Sequence, residues 1–303
     1  MPDSPIAFIG LGNMGAPMVR CLVRKGYSVR AYDVDSEKTA QLARETELCG
    51  RVEPAWSLVS AACGACALVT MLPDSDAVRK VVLGTKDQPG VIDELPTGSI
   101  IIDMSSSFPL DTQKLGAVLA ARGIALVDAP VSGGVLKAVA GTLAIMAGGE
   151  SEAVARVTPL LSAMGTVLPT GPLGSGHATK ALNNYVSAAG LVATCEALVI
   201  ARRFGLDPVT VNRVFNASTG RNNTTENKSE RYLIPKTFNS GFSLALMSKD
   251  VGMAKCLADE LGLFADQLEF VASLLGRASR VLPNDADHTE IMALVDADSQ
   301  PEG

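Results

Sequence analysis

The chain has 303 residues, 47% hydrophobic and 19% charged, enough for two domains with sizeable cores. Disorder, collagen-like repeats and a disulfide mini-scaffold are excluded by these figures. Lys and Arg total 26 against 32 Asp and Glu, a formal charge of −6, which argues against a chain that coats nucleic acid and leaves room only for a local anion pocket.

In chain order, residues 6–10 read as a strand, 13–25 as a helix stopped by Gly26, 29–32 as a strand and 36–45 as a helix. Further strands are expected at 67–72, 100–103, 125–128, 143–147 and 166–168, with helices at 74–82, 110–122 and 152–163. This alternation is the pattern of an α/β Rossmann domain, a doubly wound and mostly parallel sheet. A Pro/Gly cluster at 169–176 marks a boundary, so the expected domains are 1–172 and an all-helical 173–303. The second opens with a long interdomain helix over 177–204, roughly 40 Å at 1.5 Å per residue. Leu182, Val186, Leu191, Val192, Leu198 and Val199 cover most of its faces, so it is expected to be buried on most faces. Helices at 207–217, 244–261 and 267–281 follow, and 222–231 reads as a polar surface segment or irregular helix.

Six cysteines, with one isolated Cys63-x-x-Cys66 pair, and two distant histidines, His177 and His288, suit a reduced cytoplasmic protein without a metal site. Cys63 and Cys66 read as small buried residues ending a helix. The start Met1-Pro2-Asp3-Ser4-Pro5 lacks a signal-peptide pattern. The apolar stretch 181–195 is bracketed by Lys180 and Glu196 and falls short of the ~20 residues of a membrane span. Neither a membrane nor a nucleic acid is an expected partner.

Gly10-Leu11-Gly12-Asn13-Met14-Gly15 is a GxGxxG between a strand and a helix. Gly10 permits the tight turn, Gly12 lets the backbone approach a pyrophosphate, and Gly15 lets helix and sheet pack closely. Amides near Asn13 and Met14 then face the phosphates. Asp33 ends the second strand, 18 residues after Gly15; a carboxylate there accepts the ribose hydroxyls and repels a 2′-phosphate, favouring NAD over NADP. The competing reading is a packing turn with a solvated Asp. Leu72 and Pro73 follow one later strand and can pack against the cofactor; Ser106 follows another and can hydrogen-bond near the nicotinamide or substrate.

Asp128-Ala129-Pro130-Val131-Ser132-Gly133-Gly134 also follows a strand, and its hydroxyl and amides suit a carboxylate. Lys180 and Asn184 lie four apart, on one helical face, with Asn183 pointing to a neighbouring direction. A lysine snorkelling at a domain boundary is the bland alternative.

With these motifs, the GxGxxxKxxNN run from Gly174 to Asn184 and Lys249-Asp250, the chain resembles the β-hydroxyacid dehydrogenase family, of the 3-hydroxyisobutyrate dehydrogenase and tartronate semialdehyde reductase type, over nearly its whole length. The resemblance implies NAD-dependent oxidation of a small 3-hydroxy acid, or reduction of the matching semialdehyde, by a homodimer or homotetramer. It implies that Lys180 is the general acid/base and that Asn184 orients the reacting oxygen, with Asn183 in support. Ser132, Gly133 and Gly134 match the substrate carboxylate loop, and Lys249 a lysine brought towards cofactor and substrate. A lysine at its ordinary pKa near 10.4 is rarely neutral at pH 7, so the role calls for burial or a nearby cation. Two departures stand out: Ser106 where many members have Thr, and Ser187 where phosphogluconate enzymes carry a Glu. His177, one turn before Lys180, reads as capping the helix. A tartronate-semialdehyde-type reductase and a non-catalytic dinucleotide-binding scaffold are the alternatives; imine reductases usually replace the lysine. Substrate choice is expected to lie with walls of the helical domain, around residues 238–242.

Overall fold

A computed structural model describes residues 5–48 and 50–298. Two compact units divide the chain, 1–180 and 181–303. The N-terminal unit runs β1 (Ile6–Ile9), α1 (Gly15–Arg24), β2 (Val29–Tyr32), α2 (Ser36–Arg44), β3 (Val52–Pro54), α3 (Leu58–Ala62), β4 (Ala67–Thr70), α4 (Ser75–Leu83), β5 (Ile100–Asp103), α5 (Pro109–Ala120), β6 (Ala125–Asp128), β7 (Val131–Ser132), α6 (Gly134–Ala140), β8 (Leu143–Gly148), α7 (Ser151–Leu161) and β9 (Gly165–Gly171).

The strands form one sheet in the order β3-β2-β1-β4-β5-β6-β8-β7, with β9 beside β8. Pairing is parallel except where β8 meets β6 and β7. Period-two alternation explains why helices cover both faces. Ile100 and Ile102 point into one core with Met18 and Leu22 of α1 and Val157 of α7. Ile101 points into the other, with Val78 and Val82 of α4 and Leu115 and Leu119 of α5. Each such side chain, fully buried, is worth about 1.5–3 kcal/mol. The order reverses between β1 and β4, which places a ligand crevice at their carboxyl ends.

Short elements escape the sequence reading: β3, α3, β7 and α6. Pro169 and Gly171, expected in a linker, lie in β9, an edge strand where a proline costs no ladder bond. Cys63 is the exposed C-cap of α3, so it is not the buried residue expected.

The C-terminal unit takes up α8 (Ser175–Phe204) beyond Lys180, then α9 (Pro208–Ala217), α10 (Asn223–Asn227), a π-helical turn (Ser229–Leu233), α11 (Leu244–Glu260), α12 (Asp266–Val281), a 3₁₀ turn (His288–Glu290) and α13 (Ile291–Asp298). Its core joins Leu191, Val192, Leu198 and Val199 of α8 to Val251 and Ala254 of α11 and Val271 and Leu275 of α12. Not all apolar faces of α8 are covered: Leu182, Val186, Ile200 and Phe204 are exposed. At 30 residues α8 has the length and apolarity to cross a membrane, and half of its most apolar window is buried in the protein. The shortfall expected for 181–195 therefore does not hold for the helix as a whole, whose apolar residues continue past Glu196.

Candidate active site

The glycine turn is built by exclusion. A Cβ on Gly10 (φ +100°) would stand 2.3 Å from the Met71 carbonyl oxygen, and one on Gly15 would stand 1.9 Å from that of Gly10. Only hydrogen fits, so β1, the turn and the start of α1 close up against β4. Gly12 is the opposite case: a Cβ there would meet nothing within 4 Å. Open space beside exposed backbone at a helix start is what a pyrophosphate requires. Leu11 donates its amide to Asp33 Oδ2 at 2.6 Å, and Asp35 donates to Oδ1 at 2.9 Å. These bonds fix the Asp33 carboxylate at the end of β2 and leave it lone pairs for ribose hydroxyls. Lys38 Nζ, 4.0 Å from Asp33 and 3.7 Å from Asp35, is a neighbouring cation the sequence reading passed over. The residues of the turn thus fit a dinucleotide.

Two buried carboxylates order the neighbouring strand ends. Asp103, closing β5, accepts from Thr70 Oγ1 (2.9 Å), the Ser105 amide (3.0 Å) and Ser107 Oγ (2.7 Å). Ser105 Oγ in turn accepts the Leu72 amide at 2.9 Å. Leu72, Pro73 and Ser106 are therefore carried on turns locked to one another, Leu72 and Ser106 half-buried and Pro73 exposed. A cleft of about 220 Å³ between α4 and α5 reaches Asp103, Ser107 and Thr112, and none of the expected cofactor residues lines it.

Asp128, closing β6, does something the sequence reading missed. Its Oδ1 accepts the Gly174 amide and its Oδ2 the His177 amide, each at 2.8 Å. A carboxylate distant in sequence thus caps α8, satisfying amides that the helix itself cannot. The glycines make the room: a Cβ on Gly148 would lie 2.6 Å from Asp128 Oδ1, and one on Gly176 would lie 2.8 Å from Oδ2. His177 is not the cap expected of it. Its imidazole is buried, Nδ1 hydrogen-bonded to Thr112 Oγ1 (2.8 Å) and Nε2 donating to the Ser105 carbonyl (3.2 Å). Asp103 and Asp128 flank the ring at 3.7 and 3.8 Å. One turn further on, Lys180 is buried at 7% exposure.

Beyond Asp128 the chain crosses Val131 and Ser132, which pair with β8, and turns at Gly133 (φ +133°) and Gly134 (φ +68°) into α6. Ser132 is half-buried and both glycines are exposed, an open loop of hydroxyl and amides.

Within the C-terminal unit, Asn184 and Lys249 are brought together by Asp250. The buried Asn184 donates from Nδ2 to Asp250 Oδ2 at 2.6 Å, and Lys249 Nζ stands 3.9 Å from Oδ1. Asn183 is exposed and donates to Asn184 Oδ1 at 3.1 Å. Beside Lys249 the sequence suggests a surface salt bridge for Asp250; the fold instead buries Asp250 and turns it to Asn184. Phe238 and Phe242 pack against the helical core. The segment is held by Asp287, which accepts from Ser240 Oγ (2.8 Å) and the Gly241 amide (2.8 Å). Burial pushes the Asp287 carboxyl up, but bonds from His288, Thr289 and Ser240 outweigh it and hold it well below the usual carboxylate range. Burial pulls the Lys228 ammonium down to about 8, against Asp287 and Cys195, which favour its charge. Among the described residues no group of three His, Cys, Asp or Glu side chains is placed to hold a metal ion.

A family model described as the NAD binding domain of 6-phosphogluconate dehydrogenase matches residues 5–174. One described as NAD-binding of NADP-dependent 3-hydroxyisobutyrate dehydrogenase matches 174–295. The chain is 36% identical over 251 residues to a 2-(hydroxymethyl)glutarate dehydrogenase of Eubacterium barkeri, covering 82% of this chain and 80% of that one. It is 36% identical over 277 residues to a 3-sulfolactaldehyde reductase of Escherichia coli K12, covering 91% and 87%. The solved Mycobacterium tuberculosis 3-hydroxyisobutyrate dehydrogenase with L-serine superposes with a TM-score of 0.85 at 30% identity, over 96% of this chain and 99% of that one.

Proposed function

We propose, since this chain belongs to the β-hydroxyacid dehydrogenase family, that Lys180 is the general acid/base of an NAD(P)-dependent oxidation at a CH–OH group. The reaction converts a small 3-hydroxy acid to its semialdehyde, or runs in reverse. The observation that carries the lysine's role is its placement: buried, in the second turn of a helix whose start is clamped by Asp128. That carboxylate also leads into the Ser132–Gly133–Gly134 loop, so one strand end sets both the amine and the loop.

A bound nicotinamide supplies the hydride acceptor or donor. As hydride leaves the carbinol carbon, neutral Lys180 Nζ takes the hydroxyl proton; in reduction its ammonium returns it. Asn184, four residues on along α8, orients the reacting oxygen and is itself held by Asp250. Ser132 with the amides of Gly133 and Gly134 binds the substrate carboxylate, and Lys249 adds positive charge at cofactor and substrate. Gly10–Gly15, Leu72, Pro73 and Ser106 hold the dinucleotide. Asp33 selects NAD over NADP, because its carboxylate repels a 2′-phosphate and Lys38 is already engaged with Asp33 and Asp35.

The reductive direction, as in a tartronate-semialdehyde-type reductase, uses the same residues. We read the enzyme as cytoplasmic and as a homodimer or homotetramer; the exposed Val186, Ile200 and Phe204 of α8 support the oligomer. The test is reduction of NAD and of NADP with 3-hydroxyisobutyrate, glycerate, threonate and 3-hydroxypropionate. Turnover of at least one acid, faster with NAD, is expected. Tight NAD binding with no turnover of any would favour the scaffold reading.

A further inference from the structure

The side chain beside the carboxylate loop is a lysine no part of the mechanism uses. A Cβ on Gly133 would stand 2.5 Å from Lys137 Cδ, 2.8 Å from its Cβ and 3.1 Å from its Cγ. The Lys137 stem therefore lies flat over Gly133, and Cδ is two bonds short of the ammonium. The backbone of Lys137 is fixed as well. Its carbonyl accepts the Thr142 amide at 2.9 Å, while Gly141 (φ +68°) closes α6 in the left-handed conformation. The ammonium, two bonds beyond Cδ, is thereby carried on a flexible tether within reach of the loop.

Among the described residues no carboxylate lies within ion-pair distance of Lys137. The rest of α6 offers Val135, Leu136 and Val139, all exposed and apolar. Another cation, Arg24, reaches the far end of α6 and donates from Nη2 to the Val139 carbonyl at 3.0 Å. An unpaired positive charge at this place, in a chain of formal charge −6, calls for an anion from outside. The loop's hydroxyl and amides already suffice for one carboxylate, so the lysine is surplus to a monoanionic hydroxy acid.

We infer that Lys137 is a specificity-determining residue, and that the preferred substrate is a 3-hydroxy acid, or its semialdehyde, bearing a second acidic group that pairs with the Lys137 ammonium over Gly133. This rests on the reading of Ser132, Gly133 and Gly134 as the carboxylate loop. The second group is a carboxylate or a sulfonate, which share the charge and the oxygens that an ammonium recognises.

The test uses the NAD-loaded protein and three unreactive acids, butyrate, glutarate and 4-sulfobutyrate, with affinities measured by calorimetry. Lys137→Met keeps the stem over Gly133 and removes only the charge. The wild type is expected to bind glutarate or 4-sulfobutyrate more tightly than butyrate, and the larger ratio identifies the group. In Lys137→Met that preference falls about five-fold, as an exposed ion pair allows, while butyrate affinity moves less than two-fold; Lys137→Arg restores it. A preference unchanged in Lys137→Met, or an equal loss for butyrate, overturns the inference. Turnover is scored separately with 3-hydroxyisobutyrate and 2-(hydroxymethyl)glutarate. If neither is oxidised while diacid binding still depends on Lys137, the reaction assignment fails and the anion site stands.

Discussion

Both units bury carboxylates, but they use them differently. In the N-terminal unit Asp103 and Asp128 close adjacent parallel strands, paired in register; Asp103 takes a backbone amide from the turn that follows it, and Asp128 takes two from the start of α8. In the C-terminal unit Asp250 sits within α11 and holds another side chain, Asn184, while Asp287 gathers a loop. A strand end is a fixed address in a sheet, so its carboxylate can order loops and a helix start at once. A helix face has no such edge, and its buried acid acts on single side chains. The N-terminal half therefore fails by steric intrusion or loss of a cap, and the C-terminal half by misorientation or a change of charge.

The largest expected effect sharpens the steric side of this contrast. Gly15→Ala forces a Cβ to 1.9 Å from the Gly10 carbonyl oxygen and is expected to cost about 3 kcal/mol or more, lowering Tm on the order of 10 °C. Gly12→Ala, with nothing within 4 Å, is expected to leave Tm unchanged while weakening NAD binding about ten-fold. Thermal denaturation and NAD titration read both. A Gly12→Ala protein that binds NAD normally would mean that the open space is not the pyrophosphate site.

Next is the cap. Asp128→Ala strands two buried amides and is expected to cost about 2–3 kcal/mol. It also releases the helix start that aims Lys180, so kcat falls on the order of 10²-fold with NAD affinity kept. Equal losses in kcat and NAD affinity would make Asp128 a general structural residue. Asp250→Ala is expected to lower kcat about ten-fold and to cost about 1–3 kcal/mol, since it frees Asn184, strands that buried donor and removes the carboxylate beside Lys249; steady-state kinetics beside a melting curve decide it.

The smallest effect concerns charge. Lys228 binds its proton less tightly in the folded chain, at about 8, than at its ordinary 10.5. The unfolded chain then holds more protons between those values, so stability rises as pH climbs from about 8 towards 10. Lys228→Met is expected to flatten that rise and add about 1 kcal/mol at neutral pH. Melting curves across this range test the sign.

How far the fold was legible follows the same division. The ends of β5 and β6 are readable to the residue, because Ile100–Asp103 and Ala125–Asp128 are short apolar runs closed by an acid. β7 and α6 are not: two residues make no period, and Gly133-Gly134 reads as a break although it opens a helix. Lys137, within α6, therefore carries no signal in the sequence. In the site, Gly10–Gly15, Lys180 and Asn184 stand out by local spacing, and Asp33 by its distance from Gly15 at the end of the next strand. Asp128 as cap, His177 as a buried link and Asp250 as the hold on Asn184 join residues 46 to 72 positions apart, and no local pattern encodes such pairs.

The most direct measurement is kcat/KM of Lys180→Ala against the wild type on one good hydroxy acid, with and without added methylamine. A loss on the order of 10²–10⁴-fold, partly restored by the free amine, with NAD binding intact, is expected. A variant that keeps the wild-type rate would contradict the assignment of Lys180 as the acid/base.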